Sequence, residues 1–125
     1  AENRDEIAWV RELHPAARSY LAVYEQFGLL RPRSVYAHCI HLDDEDRARL
    51  RACGAAAAVC PTSNLFLGSG FFDFAAAERT GAEVVINRPT PGPDEDVGHR
   101  IEVARGAADE PRGDHAGCPD RDQSP

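Results

Sequence analysis

Two polar clusters follow short apolar runs in the first half of the chain, and their residue types could do metal or acid–base chemistry. His38 stands at the end of the first run, and His41 lies just beyond it. Ser63 and Asn64 follow the second run. In parallel α/β folds the chemistry sits at the carboxyl ends of the strands. His38 is therefore a candidate metal ligand or catalytic residue, with a hydrogen-bonded core histidine as the open alternative.

A self-contained zinc site would need more ligands than the residues offer. A catalytic zinc takes three protein ligands and a structural zinc takes four. The sequence has no HxH or HExxH motif, and its 4 cysteines form no CxxC pair. Only His38 stands at a place where a ligand is expected. We interpret the cysteines as small buried hydrophobic residues of a protein in the reducing cytoplasm.

Two other features have a structural explanation beside a functional one. Gly68–Gly70 precedes an expected helix and could hold an anion, although a tight turn is the commoner use of such a run. The acidic run Asp43–Asp46 could bind a metal. Negative charge at a helix N-terminus is the explanation that we favour for it.

Composition narrows the classes of partner. The chain has 125 residues, a formal net charge of -7, and arginine as its only strongly basic residue type. A basic surface for nucleic acid is therefore not expected. No apolar run approaches the ~20 residues that a membrane span needs. We therefore expect neither a nucleic-acid partner nor a membrane partner.

Helix caps, glycine stops and apolar spacing predict alternating helices and strands over residues 1–87. Both complete strands consist of continuous apolar runs, which predicts burial on both faces, and residues 62–64 are predicted as a polar loop. A complete β/α barrel needs at least ~200 residues, so the order predicts an α/β fold that forms only part of a barrel. The predicted helices are Asn3–Leu13, Ala16–Phe27, Asp44 to Gly54 with Asp43 as cap, and Phe71–Thr80; the strands are Ser34–Ile40, Ala55–Cys60 and one that begins at Val84.

The composition changes at residue 88. Residues 88–125 contain six prolines, five glycines and no aromatic residue. A segment with so few large apolar side chains buries too little surface to offset its ordering entropy. We therefore predict a folded part over residues 1–87 and a disordered C-terminal tail over residues 88–125.

Three runs of the sequence together resemble the guanine deaminases of the amidohydrolase superfamily. They are ENRDE at residues 2–6, AHCIHL at residues 37–42 and CPTSNLFLGSG at residues 60–70. The resemblance covers about residues 1–84, or about three β/α units of the family's TIM barrel. It implies a zinc-dependent, cytoplasmic, homodimeric enzyme of purine catabolism, which hydrolyses guanine to xanthine and ammonia.

The family's functional residues carry over at two positions. Glu2 matches the glutamate that moves protons and is also a candidate for contact with the purine, and His38 matches the histidine ligand on the sixth barrel strand. The family's HxH pair and the histidine of its His-x-x-Glu motif would precede Ala1. Pro89 stands about where the aspartate ligand is expected. The resemblance therefore predicts an internal piece that is inactive alone, with an aberrant tail from a frameshift or rearrangement.

Two alternatives remain open beside a guanine deaminase. One is a non-catalytic remnant that docks with another barrel fragment. The other is a related amidohydrolase that acts on a different aminated purine or on a chlorinated heterocycle.

Overall fold

This computed structural model describes residues 1–90 and 98–104. Within them lie five helices and four strands. Helices and strands alternate through most of this part, as predicted for an α/β fold. The helices are α1 (Arg4–Leu13), α2 (Tyr20–Gln26), α3 (Asp44–Cys53), α4 (Pro61–Phe66) and α5 (Phe74–Thr80), and the strands are β1 (Val35–Ala37), β2 (Ala56–Val59), β3 (Glu83–Thr90) and β4 (Gly98–Ala104).

Side-chain caps fix where the helices begin. Asn3 accepts a hydrogen bond from the backbone N–H of Asp5 at 2.8 Å, so α1 starts as predicted. Asp43 caps α3, and the left-handed Gly54 (φ 63°) ends it, which confirms both predicted boundaries. The predicted starts of α2 and α5 are wrong by several residues. Ser19 caps α2 and Asp73 caps α5, because each side chain accepts from the first turn.

The sheet has the order β1-β2-β3-β4, with β1, β2 and β3 parallel. All four residues of β2 are buried, which confirms the prediction for this strand. The same prediction is wrong for β1, where Val35 is 52% exposed. Among the described residues β1 pairs only with β2, so one edge of β1 has no neighbour.

Residues 62–64 form part of a helix and not the predicted loop. Pro61 occupies the first turn of α4, where the missing N–H of proline costs nothing. The prediction used Pro61 only as the end of β2. The helix matters for function because it fixes the direction of Asn64.

Strands also extend into the C-terminal segment that was predicted to be irregular. β3 continues to Thr90, and β4 pairs with it in antiparallel register over seven residue pairs. In the sequence of β4, Ile101 and Val103 alternate with charged residues, which is a pattern typical of a strand. The prediction of a disordered tail gave more weight to the proline and glycine content of residues 88–125 than to this pattern. Residues 91–97 and 105–125 lie outside the described residues, so the tail prediction is untested there. The division at residue 88 stays a prediction.

The main core lies between the helices and the sheet. Its most deeply buried members come from α3, from β2 and from the turn after β1. Cys39 and Cys53 are buried within it, as predicted for small hydrophobic residues, whereas Cys60 is only partly buried. No helix in the described part of the chain is long and apolar enough to cross a membrane. The largest fully buried side chains are Leu50, Asn64, Cys39 and Cys53.

Candidate functional site

The carboxyl ends of β1 and β2 bring together four polar side chains, which we call the His38 cluster. His38 comes directly after β1, and Asn64 lies in α4 directly after β2. Ser69 lies in the turn beyond α4, and Glu2 precedes α1. The parallel register, in which Ala37 pairs with Ala58, places these strand ends side by side. The cluster consists of Glu2, His38, Asn64 and Ser69.

Two oxygen atoms face the same nitrogen of His38. Nδ1 of His38 lies 2.7 Å from Oδ1 of Asn64 and 3.3 Å from Oε1 of Glu2. Ser69 Oγ donates a hydrogen bond of 2.9 Å to the same oxygen of Glu2. The two residues that the resemblance selected, Glu2 and His38, are therefore in contact.

The neighbours of His38 determine where its proton lies. An amide oxygen can only accept a hydrogen bond, so the contact with Asn64 is a hydrogen bond when Nδ1 carries the proton. In the neutral ring Nε2 then holds a lone pair, which is what a metal ligand requires. Asn64 is 2% exposed, whereas the side chain of His38 is 25% exposed. The acceptor is fixed in the interior, and the ring extends outward.

The backbone at His38 is strained. His38 has a φ of 67° and Cys39 a φ of 50°, in the left-handed region that side chains with a Cβ rarely adopt. Such a conformation costs roughly 1–2 kcal/mol per residue and concentrates at functional sites. The N–H of His38 holds the turn by donating to the carbonyl of Ala58 at 2.7 Å. Burial raises the pKa of the Cys39 thiol to about 11, so this thiol packs in the core as an uncharged group.

A cavity of about 210 Å³ opens beside Glu2 and His38. Its other walls come mainly from α2 and β1, and two of them are the tyrosines Tyr24 and Tyr36. Those two rings contact each other with centroids 5.4 Å apart. The cavity is smaller than the ~300–1,000 Å³ of typical small-molecule sites.

His38 fits one metal-ligand position, and the described residues do not build a complete metal site. No group of three or more His, Cys, Asp or Glu side chains lies in a metal-binding arrangement within residues 1–90 and 98–104. The free lone pair on Nε2 fits a ligand, while a catalytic zinc takes three protein ligands. Pro89, which stands where the family's aspartate is expected, has no carboxylate to offer.

His41 and the acidic run Asp43–Asp46, the other candidates from the sequence, lie outside the His38 cluster. His41 donates its backbone N–H to the carbonyl of Ala1 at 3.1 Å, and desolvation lowers the pKa of its ring. The acidic run is used for capping α3 and for ion pairs with Arg18. Sequence reasoning missed the roles of Asn64 and Ser69. Both lie in the CPTSNLFLGSG run, which contributed to the resemblance. The motif alone did not predict which side chains Asn64 and Ser69 would contact.

Comparison with known proteins finds the Amidohydrolase family over residues 1–87. A guanine deaminase from Escherichia coli is 50% identical over 76 residues, which are 61% of this chain and 17% of that protein. A 5-methylthioadenosine/S-adenosylhomocysteine deaminase from Pyrococcus abyssi is 40% identical over 86 residues, or 69% of this chain and 20% of that protein.

A solved structure also matches the fold. The crystal structure of guanine deaminase from C. acetobutylicum, which has guanine bound in its active site, superposes with a TM-score of 0.65 and 38% identity. The match covers 68% of this chain and 20% of that one. The chain thus spans about a fifth or less of the length of these relatives.

Proposed function

This chain belongs to the amidohydrolase family, and we propose that it supplies Glu2 and His38 to the active site of a zinc-dependent guanine deaminase. The reaction is the hydrolysis of guanine to xanthine and ammonia. The contact between Glu2 and His38 carries the proposal, because the two residues with a family role meet at the carboxyl end of β1. The similarity to guanine deaminases from several organisms supports the choice of substrate.

Each residue has a defined part in this proposal. Zinc, when bound, supplies the acidity that lets a water molecule act as a nucleophile at neutral pH. His38 offers the lone pair of Nε2 as one ligand. Glu2 takes a proton at its carboxylate and passes it to the purine ring and to the leaving amine. Ser69 holds that carboxylate through its hydroxyl.

The proposal extends to the whole enzyme. Residues 1–87 correspond to about three β/α units of a TIM barrel, which the end of the family match at residue 87 supports. The remaining zinc ligands come from parts of the barrel that these residues do not include. On this basis the 125-residue chain alone does not turn over guanine. We also keep the cytoplasmic location and the homodimeric state as proposals for the complete enzyme.

A chimera tests the function. The matched segment of the E. coli enzyme is replaced by the corresponding residues of this chain, and guanine hydrolysis and zinc content are measured. We expect an active, zinc-loaded chimera in which E2Q lowers kcat about 10²–10⁴-fold, the usual worth of a general acid–base. H38A removes the zinc as well. H41Q serves as the matched control, because His41 lies near His38 but outside its cluster, and it leaves both readouts unchanged.

Two results of the chimera experiment would overturn the proposal. One is a chimera that folds and binds zinc but does not hydrolyse guanine. The other is full activity in E2Q or H38A.

A second candidate function keeps the family and changes the substrate. The Pyrococcus abyssi relative, with its 40% identity, favours another aminated purine, and a chlorinated heterocycle belongs to the same alternative. Assaying the chimera against guanine, S-adenosylhomocysteine and a chlorotriazine separates these substrates. Faster turnover of either competitor would replace guanine.

A non-catalytic remnant is the third candidate, and the edge of β1 on which the described residues place no strand favours it. Exposed strand edges recruit other strands. In this case the chain would bind a separately expressed N-terminal fragment of the E. coli enzyme, and the complex would contain no zinc. A zinc-loaded complex would favour the enzyme instead.

A further inference from the structure

Asn64 occupies an unusual position for a polar side chain. It is 2% exposed and lies in α4. Its backbone N–H donates to the carbonyl of Cys60 at 2.9 Å, and its own carbonyl accepts from the N–H of Ser69 at 2.9 Å. Both ends of the residue are therefore held, and its amide oxygen reaches His38.

Burial of an amide in a core is costly unless its atoms are hydrogen-bonded. A buried amide therefore needs a partner for its oxygen. The 2.7 Å contact with His38 is the side-chain hydrogen bond that the described residues give to Asn64. The amide oxygen thus lies where His38 uses it.

We propose that Asn64 is a positioning residue, whose side-chain oxygen holds the His38 proton on Nδ1 and so keeps Nε2 as the ligand nitrogen. A histidine ring next to a metal commonly donates its other N–H to an oxygen that fixes its orientation. Glu2 also faces Nδ1, but at 3.3 Å and on the partly exposed side. The contact of Nδ1 with Asn64 is the shorter of the two, and Asn64 is the more deeply buried acceptor.

The same turn also places the carboxylate. Because the N–H of Ser69 donates to the carbonyl of Asn64 and its hydroxyl donates to Glu2, α4 and the turn after it connect both site residues. A single structural unit thus sets the direction of the ring and of the proton carrier. This assignment deepens the proposed function and rests on it for the identity of the ligand.

The protonation of the ring can be read directly in the 125-residue chain. The chain is labelled with ¹⁵N-histidine, and long-range ¹H–¹⁵N correlations are recorded at about pH 8.5, where imidazole is neutral. The His38 signals are identified by their loss in H38Q. We expect His38 to be protonated mainly on Nδ1. A ring protonated mainly on Nε2 in the unmodified chain would overturn the proposal without any variant.

Variants of Asn64 test the cause. In N64L the ratio of the Nδ1–H form to the Nε2–H form falls about fivefold, the worth of one net hydrogen bond. N64D keeps an acceptor oxygen at this position, so the ratio does not fall. S63A, on the same helix, is the matched control and changes nothing. An unchanged ratio in N64L, with far-UV circular dichroism showing that it folds, would contradict the assignment.

A second measurement links the ring to the metal. In the chimera N64L lowers the zinc affinity about 10–100-fold, as removal of an orienting partner does, while N64D restores most of it. If the ratio shifts but the zinc affinity does not, Asn64 does not position a ligand. The proton measurement uses neither zinc nor guanine, so failure of the proposed function and failure of this assignment give different results.

Discussion

The chain holds a second polar cluster, around Arg18, which contains more charge than the His38 cluster. Arg18 donates to Asp43 at 2.7 Å, lies 3.1 Å from Glu45, and also pairs with Asp46. Ser19 donates to Asp46 at 2.6 Å. These contacts join α3 and its cap to the residues just before α2. The Arg18 cluster consists of Arg18, Ser19, Asp43, Glu45 and Asp46.

The charged side chains of the Arg18 cluster pair with one another. Hydrogen bonding from Arg18 lowers the pKa of Asp43, and that of Arg18 is raised in turn. Asp43 also caps α3. The side chain of Asp46 is 6% exposed, and its desolvation raises its pKa. Each carboxylate already has a partner within the cluster, so the cluster joins two helices.

The His38 cluster has fewer charges but leaves an atom available. Its ring uses Nδ1 for Asn64, which frees Nε2. Its backbone lies in the left-handed region, although Arg33, outside the cluster, has the same φ of 67°. It also lies at the carboxyl ends of two parallel strands. Strand position and the available ring nitrogen therefore distinguish the candidate site better than the number of charged residues does.

The largest effect we expect comes from breaking the Arg18 cluster. R18A leaves the buried carboxylate of Asp46 with Ser19 as its remaining side-chain partner. An unsatisfied buried group costs about 1–3 kcal/mol, and the half-exposed Arg18 keeps the loss toward the lower value. Urea unfolding of the 125-residue chain at neutral pH measures this loss.

R79A is the matched control for R18A. Arg79 pairs with Asp44, and both side chains are more than half exposed. Surface pairs of this kind contribute ~0–1 kcal/mol. Equal losses in R18A and R79A would show that the Arg18 cluster stabilises the fold no more than a surface ion pair does.

A smaller effect tests the strain at His38. H38A and H38G both remove the ring, but only glycine adopts a φ of 67° without a steric cost. H38G should therefore be more stable than H38A by about 1 kcal/mol, measured by urea unfolding. A48G gives the opposite sign, because Ala48 is exposed in the interior of α3, where glycine costs ~0.5–1 kcal/mol. If H38G is no more stable than H38A, the left-handed turn stores no strain.

Local signals in the sequence were sufficient for several elements. Asn3, Asp43 and Gly54 act through contacts within their own turns, so their effect could be predicted from the residues nearby. The burial of β2 followed from its apolar run. The exposure of β1 did not, because an apolar strand is buried on both faces only when other elements pack against each face of the sheet.

The candidate site could be predicted only in part. His38 was a candidate because of its place at a strand end, whereas Glu2 came only from a resemblance, and no spacing rule would place them in contact. The role of Asn64 depends on α4, whose first residue, Pro61, was interpreted as the end of a strand. It depends also on the register between β1 and β2, which the sequence does not specify.

The smallest effect concerns the pH dependence of the Arg18 cluster. D43N keeps an oxygen that caps α3 but loses the charge that pairs with Arg18. Because the folded-state pKa of Asp43 is lowered, its charge stabilises the fold above the ordinary carboxylate pKa of about 3.9 and stops doing so as the pH falls through the folded value. D43N should therefore lose about 0.5–1 kcal/mol at neutral pH and nothing in acid, since the pair is half-exposed. High salt should reduce the loss of D43N at neutral pH, because salt screens exposed charges. It should leave the stability difference between H38G and H38A unchanged, because that difference is steric. A loss in D43N that persists in acid would show that it does not come from removing the charge of Asp43.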